Sequence, residues 1–170
     1  VNVPSISGFL DTADAPEREP QLQRGQRLQL AVLADPDFGQ PLASSRVPQA
    51  DAQVMRAWAD TLERLPASAE EAASLAEFYA EGERRILLGQ DATQRNFFDR
   101  SFLDARIIHI ATHAYFDESM PDLVGFATAQ DGPGDDGFVS LAEISAQEIS
   151  AELVVISACS TARGTEIAGE

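Results

Sequence analysis

An α/β sandwich with a mostly parallel central sheet is the fold class predicted by three observations. Two apolar runs rich in β-branched residues, Arg106-Ile107-Ile108-His109-Ile110-Ala111 and Leu153-Val154-Val155-Ile156-Ser157, read as buried parallel strands. Strand-like and helix-like patterns alternate along the chain, which requires crossover connections and helices on both faces of a sheet. At 170 residues, 44% apolar and 24% charged, the chain is also long and apolar enough for one domain with a real core.

The elements follow in order. Residues 11 to 27 are polar, hold Pro16 and Pro20 and lack an apolar period, so they read as a linker. Leu28 to Leu33 forms a first strand, closed as a turn by Asp35-Pro36-Asp37-Phe38-Gly39. Val54, Trp58, Leu62 and Leu65 recur at helical spacing, which predicts an amphipathic helix over about 50 to 64, ended by Pro66. Ser68-Ala69-Glu70-Glu71 reads as a capping box for a second helix that buries Ala72, Leu75 and Phe78 or Tyr79, stopped at Gly82. Arg85 to Leu88 is a short strand, and Asp91-Ala92-Thr93-Gln94 caps a third helix with Phe97, Phe98 and Phe102 inward. After the His109 strand, Gly125 to Ala129 and Phe138-Val139 flank a Gly- and Asp-rich tip, a hairpin pattern, and Ser140-Leu141-Ala142-Glu143 caps a helix before the last strand.

Composition excludes several functions. Acidic residues number 28 against 12 basic ones, the net charge is -16 and no lysine occurs. A Walker phosphate loop and a Schiff-base enzyme both need lysine, and the charge opposes binding to nucleic acid or to an anionic membrane. A cationic peptide is the more natural partner. No apolar run approaches the roughly 18 residues of a membrane span, and the first residues lack a basic signal-peptide head. A single cysteine cannot form an internal disulfide or a zinc-thiolate cluster, so a cytoplasmic location is expected.

Each β-branched run leads into a reactive side chain, His113 and Cys159, at what would be the carboxyl edge of the sheet, where open α/β folds bind ligands. Their separation of 46 residues is close to the roughly 50 between histidine and cysteine in caspases. Small residues surround Cys159 in Ser157-Ala158-Cys159-Ser160-Thr161-Ala162-Arg163-Gly164, leaving the backbone open to a substrate. A thiolate formed beside an imidazole is a competent nucleophile near neutral pH. His109 and His113 have the spacing of a zinc-protease helix, but Ile110 stands where the general base belongs and the run is β-branched, so no metal is expected. On a strand the two share a face, which makes His109 a structural or supporting histidine beneath the site. The Asp131 to Gly137 tip lacks the ligand order of a calcium loop, and Ser157 and Ser160 lie in no Gly-x-Ser-x-Gly elbow. Two other classes fit the same residues: a non-catalytic interaction module, and a ligand-binding domain with a structural cysteine.

Three segments carry a resemblance: His109-Ile110-Ala111-Thr112-His113-Ala114-Tyr115-Phe116-Asp117, Gly137-Phe138-Val139-Ser140-Leu141-Ala142-Glu143-Ile144, and Leu153 to Gly164. Val3-Pro4-Ser5-Ile6-Ser7, Ala34 to Gly39 and Leu87 to Thr93 extend it upstream in the same order. Together they resemble the CHAT domain, a caspase-like family often attached to tetratricopeptide repeats. The resemblance implies a three-layer αβα sandwich of the caspase-haemoglobinase type, in which 1 to 27 is an entry segment, 28 to 170 the α/β core and 46 to 64 an added helical stretch. It implies a cysteine endopeptidase without cofactor, with His113 and Cys159 as catalytic dyad and backbone amides of Ala114 and Cys159 as oxyanion donors. Ser157 joins His109 as a supporting residue. A protein or peptide is the implied substrate, with a tetratricopeptide-repeat or other regulatory region in the parent chain, and further strands are expected after the cysteine. Ala114 stands where the family has glycine; a positive φ there would cost alanine about 1 kcal/mol.

Overall fold

The computed structural model describes residues 27–38, 55, 57–116, 123–132 and 135–158. The expected linker over 11 to 27 therefore lies outside the described residues except for Arg27, as does Cys159 itself. Four strands form the central sheet: β1 (Leu30–Pro36), β2 (Arg84–Gly89), β3 (Ile107–Ala111) and β7 (Leu153–Ser157), in the order β2-β1-β3-β7. All three pairings are parallel. This is the mostly parallel α/β sheet expected of a caspase-like fold.

Alternation along the strands sends side chains to two faces. Leu30, Val32 and Ala34 of β1 meet Ala72 of helix α1 (Pro66–Ala76), with Leu75, Tyr79 and Ile107 packed alongside. On the other face Ala31, Leu33, Ile108 and Ile110 pack against Phe97 of α2 (Gln94–Phe97) and against Phe102 and Leu103 of α3 (Arg100–Leu103). Phe97 is the hub there, touching the rings of Phe98, Phe102 and Phe126 at centroid distances of 5.0, 5.5 and 5.2 Å. Thr93 caps α2 by accepting from the Asn96 amide and Asp99 caps α3 through Ser101, so one expected helix is two short ones.

A smaller antiparallel sheet follows β3: β4 (Ala114–Tyr115), β5 (Gly125–Ala127) and β6 (Phe138–Ser140) in order β4-β5-β6. The hairpin of β5 and β6 matches the turn pattern, while β4 is too short to stand out in sequence. Phe126 and Val139 face the main core, whereas Tyr115, Ala127 and Phe138 pack with Met55 and Trp58 from the short helical stretch before residue 60. Trp58 sets its edge against Tyr115 and Phe138 at 5.4 and 5.8 Å. Helix α4 (Leu141–Ser145) opens with the expected capping box, Ser140 and Glu143 satisfying each other's amides.

Five expectations are corrected. The helix expected over about 50 to 64 stops short: among the described residues the helical backbone ends at Ala59, a turn follows at 60–61, and 62–65 enter α1 without helical structure. β1 does not close at Leu33; it runs through Pro36 because Asp35 bulges out of register between Ala34 and Pro36. Helix α1 starts at Pro66, whose missing N–H suits the first helical position, so Ser68 lies inside the first turn and forms no capping box. Tyr79 turns inward and Phe78 is 81% exposed, and α1 ends at Ala76, before Gly82. β7 is not a buried strand: Val154 and Ile156 are partly buried against the core, and Leu153 and Val155 are 38% and 36% exposed, since α1 lies over β1 and no described helix covers that side of β7.

Candidate functional site

The carboxyl edge of the central sheet gathers residues from β1, β3 and the segment entering α1. Asp35 is the tightest knot. It adopts φ 43°, a left-handed conformation that costs a non-glycine residue about 1 kcal/mol but that aspartate tolerates better than most. Being left out of the β1–β2 ladder, it is 4% exposed yet fully engaged. Its carboxylate accepts from Arg64 Nε at 2.9 Å, Arg64 Nη2 at 2.5 Å and the Leu65 amide at 2.7 Å. Its own amide donates to Ser68 Oγ at 3.0 Å, and that hydroxyl donates onward to the Leu65 carbonyl at 2.8 Å. The hydrogen bond from Arg64, and secondarily that from Leu65, hold the Asp35 carboxyl below its usual range against the opposing effect of burial.

His113 sits two residues past β3, with only 9% of its surface exposed. Its Nε2 lies 2.8 Å from the Glu63 carbonyl oxygen, and a carbonyl can only accept, so Nε2 carries a proton and the neutral ring keeps its lone pair on Nδ1. Phe38 packs on the imidazole at 5.5 Å between centroids, tilted by 49°. The small sheet holds the backbone: Ala127 N donates to His113 O at 2.8 Å, and buried Thr112 donates its hydroxyl to Ala127 O at 3.0 Å.

The same bonds decide the state of Ala114. Ala114 faces Phe126 across β4 and β5, and the bond from Ala127 N to His113 O makes this the pair whose members exchange no hydrogen bonds. The β4–β5 ladder therefore leaves the Ala114 N–H unused. Among described non-glycine residues only Asp35 has positive φ, so Ala114 is extended and the methyl group that replaces the family's glycine meets no left-handed strain.

His109 occupies the middle of β3, paired with Val32 on one side and Val155 on the other. Its Nε2 is 3.2 Å from Glu71 Oε1 of α1, within ion-pair reach though not in hydrogen-bond geometry. Burial lowers its pKa below the usual 6.5, and Glu71 opposes that only in part. Four residues of extended chain span about 13 Å, so His109 supports the helix packing beneath the site and does not touch His113. Ser157 ends β7 exposed, opposite Ala111. Among the described residues no cluster of three or more His, Cys, Asp or Glu is placed to hold a metal ion, and no helix is long and apolar enough to cross a membrane. Asp35, Arg64 and the Glu63 carbonyl were not singled out in sequence, although the turn-forming run around Asp35 is a signal that the chain reverses there.

The four-stranded parallel sheet with flanking helices is consistent with a caspase-like α/β architecture. The CHAT domain model matches residues 1–170, and the chain belongs to that caspase-like, peptidase-related family. No curated protein and no solved structure gives a match.

Proposed function

We propose that the chain is the catalytic domain of a cysteine endopeptidase acting on proteins or peptides, with His113 as base and Cys159 as nucleophile. The register of β3 and β7 carries the reading. Ala111 faces Ser157, and equal steps of two residues lead from that pair to His113 and to Cys159. Further support comes from the Nε2 bond of His113, which leaves Nδ1 free to accept a proton.

In this mechanism His113 Nδ1 takes the Cys159 thiol proton and the thiolate attacks the scissile carbonyl carbon. The oxyanion that forms is held by the Ala114 N–H, which points away from the β4–β5 ladder, together with the Cys159 amide. As the tetrahedral intermediate collapses, the C–N bond breaks and the imidazolium returns its proton to the leaving amine. Water, deprotonated by the same histidine, then cleaves the thioester, releasing the acid and restoring the thiol. The net charge of -16 favours the approach of a cationic substrate segment.

The test is cleavage of a peptide library by the full-length natural protein, alongside its Cys159→Ala and His113→Ala variants. Cleavage present in the native protein and lost in both variants is the expected result. No cysteine-dependent cleavage under any activating condition would overturn the peptidase reading in favour of an interaction module.

A further inference from the structure

Resting on the proposed role of His113 as base, we infer that Asp35 and Arg64 act as positioning residues that hold the Glu63 carbonyl on His113 Nε2 and so fix the tautomer that leaves Nδ1 free. The connection is short. Glu63 contributes the carbonyl, Arg64 is the next residue, and Leu65 follows, and the Asp35 carboxylate takes two donors from the Arg64 guanidinium and a third from the Leu65 amide. One buried carboxylate thus grips both residues after the carbonyl that meets the imidazole.

Asp35 is itself held from the other side. Its N–H, Ser68 Oγ, the Leu65 carbonyl, the Leu65 N–H and Asp35 Oδ1 form a closed ring of hydrogen bonds between the end of β1 and the start of α1. The left-handed backbone at Asp35 turns its amide to Ser68 and its carboxylate to Arg64 and Leu65 at once. A residue that only ended a strand would need neither the buried acid nor a bidentate arginine whose side chain is half exposed, at 49%. The guanidinium lies against a carboxylate that is 6% exposed, a geometry with fixed direction. Phe38, three residues beyond Asp35, closes on the imidazole face, so one turn contributes both the ring contact and the anchor for the carbonyl.

The test compares Asp35→Asn and Arg64→Met with the native full-length protein. Asparagine tolerates the left-handed backbone and keeps the size, but it turns an amide toward the arginine donors; Arg64→Met removes both guanidinium donors from the buried Asp35 carboxylate, so a denaturant melt first establishes that each variant is folded. Nitrogen NMR of the His113 imidazole reads the tautomer without requiring turnover. Expected for both variants are a mixed or inverted tautomer population and a kcat for peptide cleavage about tenfold lower, with KM within about twofold, since the substrate-binding surface is unchanged. Arg64→Lys, which keeps the charge but not the fork, should recover only part of the kcat. A native tautomer in both folded variants would overturn the inference, whatever happens to cleavage. If the tautomer shifts in the variants while the native protein shows no cysteine-dependent cleavage, the clamp stands and the peptidase reading falls.

Discussion

His109 lies within β3 and His113 two residues past its end, and both are buried, yet the fold gives them opposite kinds of partner. His109, in the middle of β3, is enclosed between neighbouring strands and meets a side-chain carboxylate on α1. His113, just past the strand end, meets a backbone carbonyl, an aromatic ring and a small sheet that grips its backbone. A carboxylate on a flexible, half-exposed glutamate stabilises packing without dictating one ring orientation. A carbonyl locked by neighbouring hydrogen bonds selects one tautomer, which is what a general base requires. The difference teaches that burial alone does not separate the proposed base from a packing histidine; the rigidity and chemistry of the partner do.

The largest effect belongs to the proposed dyad. His113→Ala should lower peptide cleavage by about 10²–10⁴-fold, as loss of a general base does, while His109→Gln in a folded protein should leave kcat within a few-fold of native. Steady-state kinetics on both variants checks this, and equal losses would erase the contrast between the two sites.

The small sheet is the next point of attack. A Cβ on Gly125 would intrude on the Val139 carbonyl oxygen and on the Phe138 ring, so Gly125→Ala should destabilise the fold by about 1–3 kcal/mol. Because β5 carries the Ala127 groups that bond His113 and Thr112, chemical shifts should move at His113 more than at His109. Denaturant melts and NMR read the two consequences separately.

Acid should affect the two regions in different pH ranges. Burial makes folded His109 a weaker base than the unfolded residue, so the unfolded chain binds the extra proton; stability is highest above 6.5 and falls as pH drops below it. The lowered Asp35 pKa has its contribution intact above 3.8, and that part is lost only as pH falls further, through the folded value. Melting curves against pH should therefore show two separate declines, and His109→Gln should remove the first of them. The smallest change is expected from Glu71→Gln, which takes away the group that opposes desolvation and so lowers the His109 pKa further, with stability altered by less than about 1 kcal/mol. Histidine titration by NMR checks the direction.

Much of this fold was readable because its signals are local. The β-branched runs became β3 and β7, the Ser140 and Thr93 caps formed, and the Gly- and Asp-rich tip joined an antiparallel pair. What escaped depends on contacts distant in sequence. Pro36 reads as a strand terminator, but a bulge at Asp35 lets the strand pass through it, and that bulge is sustained by Arg64, Leu65 and Ser68, about thirty positions away. Ser68 looks like a cap by pattern; tertiary bonding to Asp35 redirects its hydroxyl. His113 was identifiable as a residue after an apolar strand, whereas its partner is a backbone carbonyl, a group every residue carries and no motif can flag.

The pairing of His113 with Cys159 is tested most directly by the rate at which iodoacetamide alkylates Cys159, the chain's single cysteine, at neutral pH in native, His113→Ala and His109→Gln proteins. The expected result is a rate at least about tenfold lower in His113→Ala and near native in His109→Gln. Equal rates in the native and His113→Ala proteins, both folded, would contradict it.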